Sequence, residues 1–237
     1  MLQTVTAVKE MAASLEKSAG LVAEALAAFD EIAVDRSTIP QQRLDLANRT
    51  RTSLFPWRGQ FSPELVELLL AANADPADAI LDPFVGSGTT LFEAARRDLR
   101  SIGSEINPAA VVMASAARFV NLDAEERRYR LSCFSALVER WWPFPLLQGL
   151  ASQAFSEQLE SEDRIRGMLA EAATDWFVSN LASNLVIRLS DRLKFDAVIQ
   201  TKEVWSHISA LSQIVRNLPY SNAGCAVFHA DARQLPL

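Results

Sequence analysis

The sequence predicts an α/β fold, with a parallel sheet of three short strands, helices ahead of it and a large all-helical insertion before the last strand. Three observations carry this. A short apolar run, Ala79 to Leu81, ends at Asp82, crosses a Gly86-Ser87-Gly88 turn and continues into a helix opened by Thr89 and Thr90. Two further runs, Arg100 to Glu105 and Cys225 to His229, read the same way, and each leads to an acid at or just past its end, Glu105 and Asp231. Between the second and third runs lie roughly a hundred residues of helical periodicity with no strand among them, longer than an ordinary connection. The expected organisation is N-terminal helices over 1–50, an α/β half from 51–122 and 223–237, and a helical insertion over 123–222.

Taken in order, Val5 to Ile32 is rich in Ala, Leu and Glu with apolar positions at helical spacing. Ser37 to Pro40 is a break, followed by a short polar helix from Gln41 to Asn48. At Phe61-Ser62-Pro63, Ser62 caps a helix, Pro63 takes its first position, and Glu64 sits in the first turn, where the helix dipole favours acids. In the glycine turn, two glycines two apart let the backbone bend sharply and leave no side chain between it and a ligand. The N–H groups of the new helix point into the same space. Asp82 would repel a phosphate there and suits a ligand carrying an ammonium group. After the helix from Leu91 to Asp98, Glu105 falls 17 residues beyond Gly88, at the strand end where nucleotide-type α/β halves hold ribose hydroxyls. Asn107-Pro108 opens another helix, Ala109 to Phe119.

In the insertion, helical patterns cover Ala124 to Trp142, Ser152 to Glu160, Asp163 to Leu189 and Phe195 to Asn217. Its aromatics, Phe134, Trp141, Trp142, Phe144, Trp176, Phe177 and Trp205, are expected to form a small core of their own. Asp82, Glu105 and Asp231 then stand along one edge of the sheet, where ligands of open α/β sheets sit.

Bulk properties narrow the classes. Hydrophobic residues make up 49% of the 237, which excludes a disordered chain. There is no run of eighteen apolar residues for a membrane helix and no basic, apolar start for a secretory signal, so a cytoplasmic location is expected. Cys133 and Cys225 are too few and too distant for a disulfide framework or a metal cluster, and no metal site is expected. His207 and His229 read as structural or solvent-facing. The net charge of −6 argues against a domain that grips DNA alone, because phosphate neutralisation supplies most of such affinity. The arginines at 49, 51 and 58 and at 96, 97 and 100 form local basic clusters that a solvated face explains equally well.

The stretch Asp82-Pro-Phe-Val-Gly-Ser-Gly-Thr-Thr90 resembles the cofactor-binding motif of S-adenosylmethionine-dependent DNA amino-methyltransferases, which methylate N6 of adenine or N4 of cytosine. The resemblance covers about Phe55 to Asn121 and Gly224 to Leu237, and implies a partial Rossmann-like methyltransferase sheet. It implies that S-adenosylmethionine is the cofactor, with Asp82 and the backbone of Gly86, Ser87, Gly88, Thr89 and Thr90 at its methionine end. Glu105, with Ile106, would hold the ribose side, and Asp231 and Ala232 the adenine. Phe61, Ser62 and Pro63, with Trp57 nearby, would form a wall, and Phe84 an apolar contact near the reacting methyl. The family's (Asp/Asn/Ser)-Pro-Pro-(Tyr/Phe) segment after a fourth strand accepts from the target amine and stacks on a flipped base. Asn217-Leu-Pro-Tyr220, the nearest match, lacks the first proline and precedes the third strand, so no catalytic residue is assigned.

In that fold the first strand is flanked by the second and the fourth, so Ala79 to Leu81 is expected at an edge here. The expectation is therefore a methyltransferase part of restriction–modification type acting on DNA. It would be inactive without a second polypeptide, or further sequence, completing the sheet. The alternatives are an RNA methyltransferase of the tRNA guanine-N2 type, a non-catalytic S-adenosylmethionine-binding subunit, and a helical interaction protein.

Overall fold

The computed structural model describes residues 20, 23–24, 27, 39–44, 60–143, 161–193 and 199–235. The expected helices over Val5 to Ile32 and Ser152 to Glu160 lie largely or wholly outside the described residues. By its contacts the chain divides into Met1–Ile39 and Pro40–Leu237. The second unit begins with a single turn, α1 (Gln41–Leu44), then α2 (Pro63–Asn73), β1 (Ala79–Asp82), α3 (Thr89–Arg96), β2 (Arg100–Glu105) and α4 (Pro108–Ser115). A 3-10 turn over Ala116–Asn121 leads to α5 (Ala124–Trp141), α6 (Ser161–Ala172), α7 (Trp176–Leu193), α8 (Thr201–Arg216) and β3 (Cys225–His229).

The three strands form one parallel sheet in the order β1-β2-β3. β1 runs beside β2 from Ala79↔Arg100 to Asp82↔Gly103, and β2 beside β3 from Ser101↔Cys225 to Glu105↔His229. All three carboxyl ends therefore open on the same edge. The central strand is built of small residues because a loop rides over it. A β-carbon at Gly103 would come within 2.7 Å of the Val85 side chain, and Ser104 donates its hydroxyl to the Pro83 carbonyl at 3.0 Å.

Among the described residues the helical insertion does not make its own core. Val85, Leu91 and Phe92 from the glycine loop and α3 belong to one buried cluster with Met113 of α4, Phe134 of α5, Leu185 of α7 and Leu211 of α8. Of the aromatics expected to cluster apart, Phe134, Trp141, Trp142, Phe177 and Trp205 are recruited into it, whereas Trp176 is exposed. Phe119, ahead of the insertion, packs edge-on against Phe177 with ring centroids 5.0 Å apart. Phe144 lies outside the described residues. The helix expected from Asp163 to Leu189 is two helices, α6 and α7. Asp175 ends the turn between them by accepting from the N–H groups of Phe177 and Val178 at 2.9 and 3.0 Å. This is an N-cap, and the run of helix-favouring residues around it masks it in the sequence. The last helix begins at Thr201, after Gln200, and residues 195–198 of the helix expected there lie outside the described residues.

Two polar anchors return the chain from α8 to β3. Arg127, 4% exposed, donates to four carbonyls and has no acid among these partners. Nε reaches Phe119 O at 2.9 Å, Nη2 reaches Val120 O at 3.1 Å and Pro219 O at 2.6 Å, and Nη1 reaches Leu218 O. On the other side Asp98, held at φ +55°, accepts from the Ser221 hydroxyl at 2.7 Å and from the N–H groups of Asn222 and Ala223. The Ser221 hydroxyl, then the Ala223 N–H, hold its carboxyl below the usual carboxylate range. Together they lay the residues before Cys225 against the start of β2, where Ser101 N donates to Gly224 O at 2.9 Å.

Two substitutions test this packing by chemical denaturation. Arg127→Lys keeps the charge and loses the planar fork, and is expected to destabilise the protein by about 2–3 kcal/mol. Gly88→Ala places a β-carbon 2.9 Å from the Ala114 Cα at φ +93°. Strain at that backbone geometry is worth about 1–3 kcal/mol, and the contact adds to it.

Candidate functional site

The carboxyl edge of the sheet brings together most of the residues singled out in the sequence. The turn after β1 is set by Asp82, whose Oδ1 accepts from Phe84 N at 3.1 Å. Gly86 and Gly88 both have positive φ, +51° and +93°, which side-chain-bearing residues rarely adopt. The two glycines differ in what surrounds them. A β-carbon on Gly86 would meet nothing nearer than the Phe84 carbonyl at 3.9 Å, whereas Gly88 is pressed against Ala114 of α4. Gly86 thus faces the open side of the loop and Gly88 its packed side. Gly88 then caps α3 without a side chain; its carbonyl takes the N–H groups of Leu91 and Phe92, and those of Thr89 and Thr90 point back toward the loop.

Glu105 closes the other side. Its Oε2 accepts from Gly86 N at 3.1 Å, and its Oε1 accepts from Ile106 N and Asn107 N, each at 2.9 Å. One carboxylate therefore spans the glycine loop and the turn that leads into α4, where Asn107 caps by accepting from Ala109 N. Three backbone donors occupy three of the four lone-pair directions of a carboxylate and leave capacity on Oε2. Asp231 reaches the same edge because Ala230 N donates to Glu105 O at 3.1 Å. Its carboxylate is turned to Arg233, with Nη2 at 2.5 Å from Oδ2, and this guanidinium and the Arg233 N–H hold it below the ordinary range. Ala232, half-buried, follows it.

The segment before α2 stands against the loop through a contact that sequence reasoning did not anticipate: the Ser87 hydroxyl donates to Gln60 Oε1 at 3.2 Å. Phe61 beside it is 63% exposed, and Phe84 (78%) and Ile106 (66%) are equally open, so three apolar side chains surround a polar edge without being buried in it. Ser62 and Pro63 are instead buried: the Ser62 hydroxyl accepts from Leu65 N at 3.1 Å as the helix cap, and Pro63 is the first residue of α2. Ser87 and Thr89 are buried too, while Thr90 is half-buried at the start of α3. Chemically, the edge offers acids for a cationic ligand, backbone N–H groups, one carboxylate with spare acceptor capacity and apolar surfaces for a planar ring.

Other features lie away from this edge. Asn217 to Tyr220 comes just before β3, at the opposite end of the strands, and the Tyr220 hydroxyl bonds Asn222 Oδ1 at 2.8 Å. Arg96, Arg97 and Arg100 are exposed at that same far end, around the close of α3 and the first residue of β2. A polar, open hollow of about 490 Å³ lies between α5 and α8, beside Ser135, Ser212 and Arg216, and contains none of the three acids. Burial pushes the Cys225 thiol up, away from reactivity. Among the described residues no group of His, Cys, Asp and Glu is placed to hold a metal ion, and no helix is long and apolar enough to cross a membrane.

Comparison with known proteins covers the part of this edge built by β1, the glycine loop and β2. Residues 38–116, from the segment before α2 through α4, match the family model described as DNA methylase. Three curated relatives agree. The Type II methyltransferase M.MjaII of Methanocaldococcus jannaschii is 40% identical over 67 residues, 27% of this chain and 13% of its own length. The Type II methyltransferase M.XycI of Xanthomonas campestris pv. cyanopsidis is 38% identical over 55 residues, 23% of this chain and 18% of its own. The Type II methyltransferase M.BsoBI of Geobacillus stearothermophilus is 38% identical over 74 residues, 30% of this chain and 14% of its own. The match thus spans less than a fifth of the length of each of these relatives. No solved structure matches. Over residues 38–116, which hold the glycine loop and Glu105, the chain is similar to the DNA methylase family.

Proposed function

We propose that this chain is the S-adenosylmethionine-binding part of a site-specific DNA methyltransferase, acting on an exocyclic amine of adenine or cytosine. The observation that carries the reading is the tie from Gly86 to Glu105, which joins the open glycine loop to the ribose-side acid inside the segment shared with the DNA methylases. Bound S-adenosylmethionine supplies a methyl group on a positively charged sulfur. In this reading Asp82 receives the ammonium group, and the Gly86–Thr90 backbone surrounds the methionine end. Glu105 accepts from the ribose hydroxyls with its remaining capacity. Asp231 accepts from the adenine amine, with the Ala232 N–H meeting the ring, once the exposed Arg233 side chain has moved aside. Phe61 and Ile106 flank the purine and ribose, Phe84 lies near the methyl, and Ser62 and Pro63 act from below by holding the wall helix. Transfer forms a nitrogen–carbon bond on the base, breaks the sulfur–carbon bond and releases an amine proton. No residue of this chain is assigned to that proton or to the base.

Among the described residues β1 is hydrogen-bonded on one side only, and Leu81 is 43% exposed on a face that also carries Ile102, Ala226 and Phe228, the last 38% exposed. Parallel sheets are ordinarily covered on both faces, and an apolar edge strand invites pairing. The apolar edge and face favour a second polypeptide segment that covers them and brings the base-handling residues. With a net charge of −6 and the exposed arginines at the far rim, DNA is expected to be gripped chiefly through that segment.

Isothermal titration of the purified chain with S-adenosylmethionine tests the first claim. Binding is expected, and Glu105→Gln is expected to weaken it by about 10- to 100-fold, the loss typical of hydrogen bonds to a charged group. A chain that binds no S-adenosylmethionine contradicts the proposal. Transfer of labelled methyl to DNA, assayed with the chain alone and with the product of the neighbouring reading frame, tests the second. Transfer is expected only in the mixture, and transfer by the chain alone would retire the need for a partner.

A further inference from the structure

We infer that His229 is a positioning residue for Glu105, acting through the peptide between Ile106 and Asn107; the inference rests on the function proposed above. His229 is the last residue of β3 and sits opposite Glu105 in the parallel register, so both side chains lie on the same face of the sheet. Its Nε2 is 2.9 Å from the Ile106 carbonyl oxygen. A carbonyl oxygen only accepts, which assigns the N–H to Nε2. The other end of that same planar peptide is Asn107 N–H, which donates to Glu105 Oε1 at 2.9 Å. In a trans peptide C=O and N–H point in opposite directions. The imidazole and the carboxylate therefore grip the two ends of one rigid plate.

The remaining polar groups of the turn are engaged from within or by backbone. Glu105 O accepts from Ala230 N, Ile106 N donates to Glu105 Oε1, and Asn107 Oδ1 accepts from Ala109 N. The His229 ring is thus the side chain from another strand that decides the plate's orientation. Without it the plate is held at one end only, by Asn107 N–H on Oε1, and one of the three donors that hold the carboxylate's second oxygen toward Gly86 and the ligand space is less firmly aimed. His229 does not touch the ligand in this scheme. It sets the aim of a group that does, and it also fixes the turn on which the exposed Ile106 side chain stands. The sequence offers no hint of this, since an isolated histidine there reads as structural or solvent-facing.

The test is a double-mutant cycle read by titration of the full 237-residue chain with S-adenosylhomocysteine, using His229→Leu, His229→Gln, Glu105→Gln and the Glu105→Gln/His229→Leu pair. His229→Leu is expected to weaken binding about 3- to 10-fold, the loss typical of one hydrogen bond, while His229→Gln, whose amide still donates, stays within about 2-fold of the parent. In the Glu105→Gln background the leucine change is expected to cost less than about 2-fold, because its effect passes through the carboxylate. Because His229 is exposed, the unfolding midpoints of the single variants are expected to stay near the parent's. Equal losses from leucine and glutamine, or the same loss with and without Glu105, would overturn the assignment. A parent chain that binds but is indifferent to His229→Leu sinks this inference alone, whereas a parent chain that does not bind sinks it together with the proposed function.

Discussion

The Glu105 carboxylate is the constraint on which the rest of the site depends. A short acid at the end of the central strand accepts from the glycine loop on one side and from its own turn on the other, so two loops from different strand–helix units become one rim. Charge-assisted bonds of this kind are shorter and stronger than neutral ones, and they act where the backbone has no ladder to hold it. The small residues around the acid follow from the same need. Gly86 gives up its side chain so that its N–H can face the carboxylate. Gly88 and Gly103 give up theirs so that α4 and Val85 can come close enough to keep the loop over β2. The order of the strands puts this acid at the centre, between Asp82 and Asp231.

The long helical insertion takes its meaning from the same arrangement. It interrupts the chain between β2 and β3, which must nonetheless pair in register, so the return has to be as well specified as a tight turn. Apolar burial does part of this, because α5, α7 and α8 share one core with α3 and α4. The direction is set by polar anchors: Arg127 gathers the carbonyls of the entry and the exit of the insertion, at Phe119 and Val120 and at Leu218 and Pro219, into one guanidinium. Asp98 fixes the exit from the opposite side. A buried arginine whose partners are carbonyls satisfies backbone groups that a loop crossing a core would otherwise leave unpaired. The insertion is therefore an integral wall of the unit, and the position of Asp231 at the rim depends on it.

Much of this was legible in the sequence, for physical reasons that can be named. The three strands and the capped helix at Ser62 were readable because short apolar runs, glycines and caps act locally. The common edge of the three acids followed from parallel topology alone. What stayed hidden depends on partners far away in the chain. The spacing of Glu105 pointed to a ligand, but nothing in it indicated that Gly86 would already hold that acid. Asp231 read as an open acceptor, yet its neighbour Arg233 engages it. The aromatics of the insertion looked self-contained because helical periodicity says which face is apolar and not what covers it. The break at Asp175 went unseen for a related reason, since a single cap inside a long helix-favouring run is a weak signal. Gln60 and His229 carry no motif at all, and their roles exist only once the loops are folded.

The central claim is that the three strand ends and the glycine loop receive one sulfonium nucleoside. Amide hydrogen exchange of the chain, with and without S-adenosylhomocysteine, tests it most directly, because the rim is made of backbone N–H groups. The account predicts slowed exchange at Gly86 to Thr90, at Ile106 and Asn107 and at Ala232 and Arg233, with little change across α5 and α8. Protection confined to the hollow between α5 and α8, or unchanged exchange throughout the rim at saturating ligand, would contradict it.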